Sequence, residues 1–350
     1  MTSSFFLGAC TPHGFLSYAD TLFDELSQLY IIKGGSGCGK STFMRRIGAE
    51  AESRGLDVSY ILCSSDPGSL DGVLLPALSV GFVDGTAPHV LEPRLCGGGA
   101  NYLNFGEFYD EAGLRANAGE IRLAQRENAA QYPHVTACLA AADRVLDSVR
   151  AEIAAPRYAE EMDAIAQCLA LSALRPAGDK PRVRRRFLEA VTPEGGWFCA
   201  KTPAALCGRV YVLRDDYLLA PQLLNALLQR AEALGHECIV CHSPLQPKDA
   251  PAHLLIPTAD AAFVCDSKAR PYEGEAFCRI DLSSTLPPAL RTELQFCLDT
   301  TRTLLHRTVT HMRRAKRCHD RVEELCRPFV DFSGVDRLTE KTLKTLFNES

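Results

Sequence analysis

The chain has 350 residues, of which 46% are hydrophobic and 23% charged, with a formal net charge of -5. This is the composition of a globular protein with a substantial core, and the length suggests two domains. The mild acidity argues against general affinity for nucleic acid or membrane surfaces. No apolar run reaches the ~20 residues of a membrane span, and Met-Thr-Ser-Ser-Phe-Phe-Leu-Gly-Ala-Cys at the start lacks the basic and long apolar parts of a secretory signal. The expectation is a cytoplasmic protein.

In chain order, Phe5 to Ala9, Thr11-Pro12-His13-Gly14 and Phe15 to Tyr18 read as strand, turn, strand. Leu29-Tyr30-Ile31-Ile32 reads as a buried strand. It leads into Gly34-Gly35-Ser36-Gly37-Cys38-Gly39-Lys40-Ser41, a G-x-x-x-x-G-K-S/T sequence, and then into a helix expected to run to about Ser53 and stop at Gly55. Strand, glycine-rich loop and helix together form the P-loop pattern. Glycines let the backbone close around phosphate oxygens, and the freed N–H groups and helix N-terminus face the anion. Gly34, Gly35, Ser36, Gly37, Cys38, Gly39, Lys40, Ser41 and Thr42 are therefore the candidate nucleotide-binding residues. Lys40 would reach the β- and γ-phosphates, and the Ser41 hydroxyl would ligate Mg²⁺.

Val58 to Cys63 reads as the next strand, Ser64 to Gly68 as a loop, Leu70 to Leu78 as a short helix and Val80 to Asp84 as a further strand. A last strand is expected near Tyr102 to Phe105. Alternating strands and helices imply a parallel sheet covered on both faces. Asp84 closes an apolar strand, the Walker B arrangement, and would share Mg²⁺ with Ser41. Asp66, Asp71 and His89 lie near the same sheet edge. Each could act as a base or orient water, although Asp66 before Pro67-Gly68 is also a good turn former. Arg94 and Arg214 are the possible arginine fingers.

Residues 110–174 read as helical, with prolines only at Pro133 and Pro156, and 177–181 as a linker. The basic run Arg182 to Arg186 reads as a solvated face. An internal repeat then appears. Phe6-Leu7-x-Ala9-x-Thr11-Pro12-x-Gly14 recurs 181 residues later as Phe187-Leu188-x-Ala190-x-Thr192-Pro193-x-Gly195. Leu29 to Lys33 faces Val210 to Arg214, Ile61 to Ser65 faces Ile239 to Ser243, and Gly81 to Asp84 faces Ala262 to Asp266. Pro287 to Cys326 repeats the helical arm. Opposite the P-loop stands Asp215-Asp216-Tyr217-Leu218-Leu219-Ala220-Pro221-Gln222, without glycine, lysine, serine or threonine. The expected fold is two duplicated P-loop NTPase-type αβα domains of three layers, 1–180 with the nucleotide site and 187–350 degenerate, each with a helical extension. Fifteen cysteines spread through such elements read as small buried hydrophobes. Cys238-Ile239-Val240-Cys241-His242 matches the c-type haem pattern, yet aligns as a core strand with Cys241 opposite Cys63.

Three segments carry a family resemblance: Lys33 to Thr42, Cys63-Ser64-Ser65-Asp66-x-x-Ser69-Leu70-Asp71-Gly72-Val73, and Val83-Asp84-Gly85-Thr86-Ala87-Pro88-His89. Together they resemble a group of poorly characterised bacterial ATPase-like proteins with tandem P-loop NTPase domains. The resemblance covers nearly the whole chain and implies binding of ATP with Mg²⁺ and ATPase activity. Many members of that group carry a P-loop in both halves, and this chain departs from them in the second. The expected function is ATP hydrolysis coupled to movement of the helical arm or second half, with Lys40, Asp84, Asp66 and His89 as catalytic candidates. A small-molecule or nucleotide kinase and a non-enzymatic nucleotide-sensing scaffold are the alternatives. A nucleic-acid motor would rest on the basic runs 182–186 and 313–317 and is disfavoured by the acidic net charge.

Overall fold

A computed structural model describes residues 1–88, 90–93, 97–178 and 180–347. The first half begins with β1 (Thr2–Phe5), a hairpin of β2 (Gly8–Thr11) and β3 (Gly14–Ser17), and the short α1 (Leu22–Glu25). There follow β4 (Gln28–Lys33), α2 (Lys40–Ser53), β5 (Val58–Cys63), β6 (Asp66–Leu75), β7 (Val80–Asp84) and β8 (Ala100–Asn104). Four helices come next: α3 (Glu111–Ala116), α4 (Ala118–Ala129), α5 (Tyr132–Ile153) and α6 (Pro156–Ala173). Pro133 and Pro156 sit in the first turns of α5 and α6, where their missing N–H costs no helical bond.

The second half repeats this order. β9 (Arg182–Arg186), the hairpin β10 (Glu189–Thr192) and β11 (Gly195–Phe198), α7 (Thr202–Leu206), β12 (Arg209–Arg214) and α8 (Ala220–Ala233) come first. β13 (Glu237–Ser243), β14 (Gln246–Ile256), β15 (Ala261–Asp266) and β16 (Cys278–Asp281) follow, then α9 (Pro288–Cys326) and α10 (Phe332–Phe347). One sheet has the order β1-β5-β6-β7-β4-β8, and the other β9-β13-β14-β15-β12-β16. Only β6 and β14 run antiparallel to their neighbours. The match reaches single residues. Thr11 Oγ1 donates to Gly14 O and accepts from His13 N–H, while Thr192 Oγ1 donates to Gly195 O and accepts from Glu194 N–H. Gly14 and Gly195 both take positive φ to close these turns.

The sheets are mixed rather than parallel, and helices cover one face of each rather than both. Strand alternation explains the layering. Tyr30 and Ile32 of β4 face α2, with Phe43, Met44 and Ile47, whereas Leu29 and Ile31 enter a core shared with Val210 and Val212 of β12. Tyr211 and Leu213 point the other way, toward Leu223, Leu224 and Leu227 of α8. The layers thus run helix, sheet, shared core, sheet, helix, with the two hairpins and short helices inside the shared core.

Three further expectations change. Leu70 to Leu78, expected to be helical, lies largely in β6, paired with β5 through the turn at Ser64-Ser65. A short apolar run buried on both sides carries no periodicity to separate strand from helix. Cys241 is buried in a core strand but stands where Ile61 stands: Ile61 pairs with Phe5 of β1, and Cys241 with Arg186 of β9. The bulge that follows each of these residues hid the shift of register. Residues 182–186 form β9, a strand largely exposed as a solvated face would be, except at its end. Arg186 is buried and forms a two-pronged ion pair with Glu25 of the first half.

The helical extensions cross over. α6 of the first half packs on α8 of the second, with Arg230 Nη2 2.8 Å from Asp163 Oδ1. α10 of the second half packs on α2 of the first, with Arg46 Nη1 2.6 Å from Asp336 Oδ1. The long helices α5 and α9 pack against each other through Val135, Leu139 and Met312. Among the described residues no helix is long and apolar enough to cross a membrane.

Candidate functional site

The glycine-rich loop links β4 to α2 at the C-terminal edge of the first sheet, where parallel strands deliver the chain to a helix N-terminus. Gly37 (φ 74°) and Gly39 (φ 91°) adopt the left-handed backbone that the turn requires. A Cβ on Gly34 would lie 2.8 Å from both Cys38 Sγ and Phe105 Cβ, and one on Gly35 the same distance from the Tyr109 hydroxyl. The loop is therefore packed from beneath. The buried Cys38 thiol donates to Gly35 O at 3.1 Å, and Tyr109 donates to Ser36 O at 3.4 Å. Burial, with Cys38 adding to it, pushes the Tyr109 phenol well above its ordinary pKa, so it stays a neutral donor. Among the described residues, the N–H groups of Ser36, Gly37 and Gly39 have no acceptor within the protein.

Lys40 Nζ donates to Gly34 O and Gly35 O, both at 2.8 Å, and lies 3.5 Å from Asp84 Oδ2. The two side chains are only 12% and 15% exposed, so the pair is poorly screened by solvent. β7 runs parallel to β4 with Asp84 opposite Ile32, which brings the carboxylate to the loop. Thr86 N–H and hydroxyl fix its other oxygen, at 2.9 and 2.5 Å. Ser41 Oγ accepts from Leu70 N–H at 2.9 Å, tying α2 to β6. Lys33 Nζ donates to Gly85 O, Leu91 O and Glu92 Oε1, anchoring the segment after Asp84.

Of the predicted residues, the structure brings together the loop 34–42, Lys40 and Asp84. Asp66 begins β6, takes a hydrogen bond from Ser69 Oγ at 2.9 Å and lies 3.5 Å from Lys316 Nζ of α9. Asp71 lies within β6 and raises the thiol pKa of the half-buried Cys63, after the larger effect of desolvation. Arg214 ends β12 in the other sheet. His89 and Arg94 lie outside the described residues.

The end of α9 and the start of α10 also meet the loop. A Cβ on Gly37 would lie 3.3 Å from Glu323 Cα, and one on Gly39 would lie 3.4 Å from Val335 Cγ1 and 3.8 Å from the Phe332 ring. His319 Nε2 lies 3.4 Å from Glu323 Oε1. That contact, with Lys40 among further causes, holds the Glu323 carboxyl below its ordinary pKa. Lys316, His319 and Glu323 share a helix face by their spacing, but nothing local in the sequence ties that face to a loop almost 300 residues earlier.

The second half closes its equivalent loop with its own carboxylate. Residues 215–219 replace 34–39, one residue fewer between strand and helix. Asp215 Oδ1 accepts from Tyr217 N–H at 2.9 Å, and Oδ2 accepts from Ala220 N–H at 2.7 Å. Burial raises the pKa of this carboxyl while these N–H groups lower it. An internal anion thus occupies donors that would otherwise face an external one. Leu218 takes the left-handed conformation (φ 65°) without a glycine.

Among the described residues no cluster of three or more His, Cys, Asp or Glu suits a metal ion. Mg²⁺ needs no such cage: one carboxylate and one hydroxyl, with phosphate oxygens and water, meet its preference for hard oxygen ligands. Ser41 and Asp84 are of that chemistry. No protein-family model, curated protein or solved structure matches the chain.

Proposed function

We propose that this chain is an ATP-binding, Mg²⁺-dependent P-loop NTPase built from two copies of one domain, with a single nucleotide site in the first copy. The observation that carries the reading is the Lys40–Asp84 pair, 3.5 Å apart, beside a positive-φ glycine loop whose N–H groups at 36, 37 and 39 have no acceptor among the described residues. Loop, cation and carboxylate are the parts that phosphoryl transfer uses, since its catalysis is mostly positioning and electrostatics. In that role Lys40 leaves the carbonyls of Gly34 and Gly35 for phosphate oxygens. Ser41 and Asp84 would hold Mg²⁺, which would supply charge to neutralise the phosphates. The Asp215 carboxylate supports a structural role for the second loop.

Hydrolysis would act on the second half through α9. This helix runs from Pro288 to Cys326 and sets Glu323 of its last turn against Gly37, so a shift of the loop on binding phosphate would push on it. A second reading is a nucleotide-sensing scaffold with negligible turnover. It is favoured by Asp66, whose carboxylate is engaged by Lys316 and Ser69 rather than held ready for water.

Equilibrium binding of ATP with Mg²⁺ to the full chain and to Lys40→Ala tests the assignment. The variant is expected to lose binding at least tenfold while remaining folded by far-UV circular dichroism, and wild-type affinity in it would refute the reading. Phosphate release above background then separates the hydrolase from the scaffold.

A further inference from the structure

The C-terminal helix of the second half packs along α2 of the first and meets the glycine-rich loop at Gly39. α2 and α10 run in the same direction. Arg46 pairs with Asp336, and eight residues on Arg54 donates to Phe347 O at 3.2 Å and stacks over the Phe347 ring at 4.8 Å. The start of α10 thus meets the start of α2, where Thr42 is exposed in the first turn. The Phe332 ring approaches the Cβ position of Gly39, the residue that leads into α2, to 3.8 Å.

A triphosphate in a P-loop has a defined polarity. Its γ end lies with the lysine and the metal-binding carboxylate, here Lys40 and Asp84. Its other end emerges past the first turn of the helix, here Ser41 and Thr42. Phe332 is 38% exposed there, although it starts a helix whose Val335 is buried against the loop. The Arg327 guanidinium stands over its ring at 5.9 Å. A partly exposed aromatic ring beside an arginine is chemistry that can stack a nucleobase.

We propose that Phe332, flanked by Arg327, is the base-stacking platform of the nucleotide site, so that the second half supplies the nucleoside wall and the first half the phosphate cradle. The proposal rests on the P-loop reading above. It gives the degenerate half a direct binding role, because the bound nucleotide would bridge β4–α2 of one half to α10 of the other.

Competition binding with Mg²⁺, using ATP and inorganic tripolyphosphate on the full chain, tests it. Wild type is expected to bind ATP more tightly than tripolyphosphate. Phe332→Ala should weaken ATP about 5- to 100-fold and leave tripolyphosphate within about twofold, while Phe332→Trp should keep wild-type ATP affinity. Unchanged ATP affinity in Phe332→Ala, or equal loss of both ligands, overturns the platform. Lys40→Ala serves as the separate control and should lose both ligands. If it retains both, the cradle reading itself fails.

Discussion

Phe6 and Phe187, 181 residues apart and equivalent in the repeat, bond to each other: Phe6 N–H donates to Phe187 O at 2.8 Å, and Phe187 N–H to Phe6 O at 2.9 Å. Reciprocal bonds between equivalent residues place a local two-fold axis between them, as an isologous interface would. Both rings are fully buried in the core that the two sheets share.

This shared core predicts one unfolding unit rather than two. Phe6→Ala should cost about 3–5 kcal/mol, as large-to-small changes in a packed core do. The chain's one tryptophan, Trp197, packs on that core from the second half and reports the effect across the axis. In urea, the midpoint by Trp197 fluorescence should fall together with that by far-UV circular dichroism. A Trp197 midpoint unmoved by Phe6→Ala would show that the halves unfold independently.

The strand–loop–helix around residues 34–41 was readable in the sequence because everything that defines it is local: a strand, glycines at fixed offsets, Lys40-Ser41 and a helix. Asp84 could be read for a similar reason, since β7 is one apolar run ending in a carboxylate. The repeat survived in turn chemistry, where Thr11 and Thr192 make the same hydrogen bonds. What could not be read depends on packing between distant segments. Leu70 to Leu75 is buried from both sides and lacks a period, so strand and helix look alike there. The crossing of α6 onto α8 and of α10 onto α2 leaves only amphipathic faces in the sequence, and such faces do not name their partner. Arg186 reads as one member of a basic run until Glu25, 161 residues away, neutralises it.

In the proposed site Asp84 would hold the metal rather than the phosphate, which separates its loss from that of Lys40. In Asp84→Asn, ATP affinity measured in chelator should stay near wild type. The gain on adding Mg²⁺ should shrink about tenfold or more, as expected when a metal site loses a charged ligand. Titrations with and without Mg²⁺ decide this. A full Mg²⁺ gain in the variant would remove Asp84 from the metal site.

The Asp215 carboxylate predicts that the second loop is stabilised by its own charge and by no ligand. An asparagine can accept through only one of the two positions, so Asp215→Asn leaves either Tyr217 N–H or Ala220 N–H facing an amide donor. The expected loss is about 1–3 kcal/mol of stability, read from urea unfolding. The number of nucleotides bound per chain should not change. A second bound equivalent in the variant would show that the loop still cradles phosphate.

His253 in β14 is fully buried, stacks on Phe198 at 5.2 Å and accepts the Cys265 N–H on Nδ1 at 3.1 Å. Accepting there requires the neutral ring, and burial lowers its pKa from 6.5 to about 3. The unfolded side chain takes up a proton near its ordinary value, the folded one only near pH 3. Between those values the unfolded state holds more protons, so stability is present above pH 6.5 and is lost as the pH falls. One such group contributes a slope approaching about 1.4 kcal/mol per pH unit once the pH is well below 6.5. His253→Gln keeps an acceptor for Cys265 and removes the titration. From pH 6 to pH 5, wild type should therefore lose about 1 kcal/mol more than the variant in urea unfolding. Parallel pH profiles for the two proteins would mean that the buried ring is protonated in the folded chain.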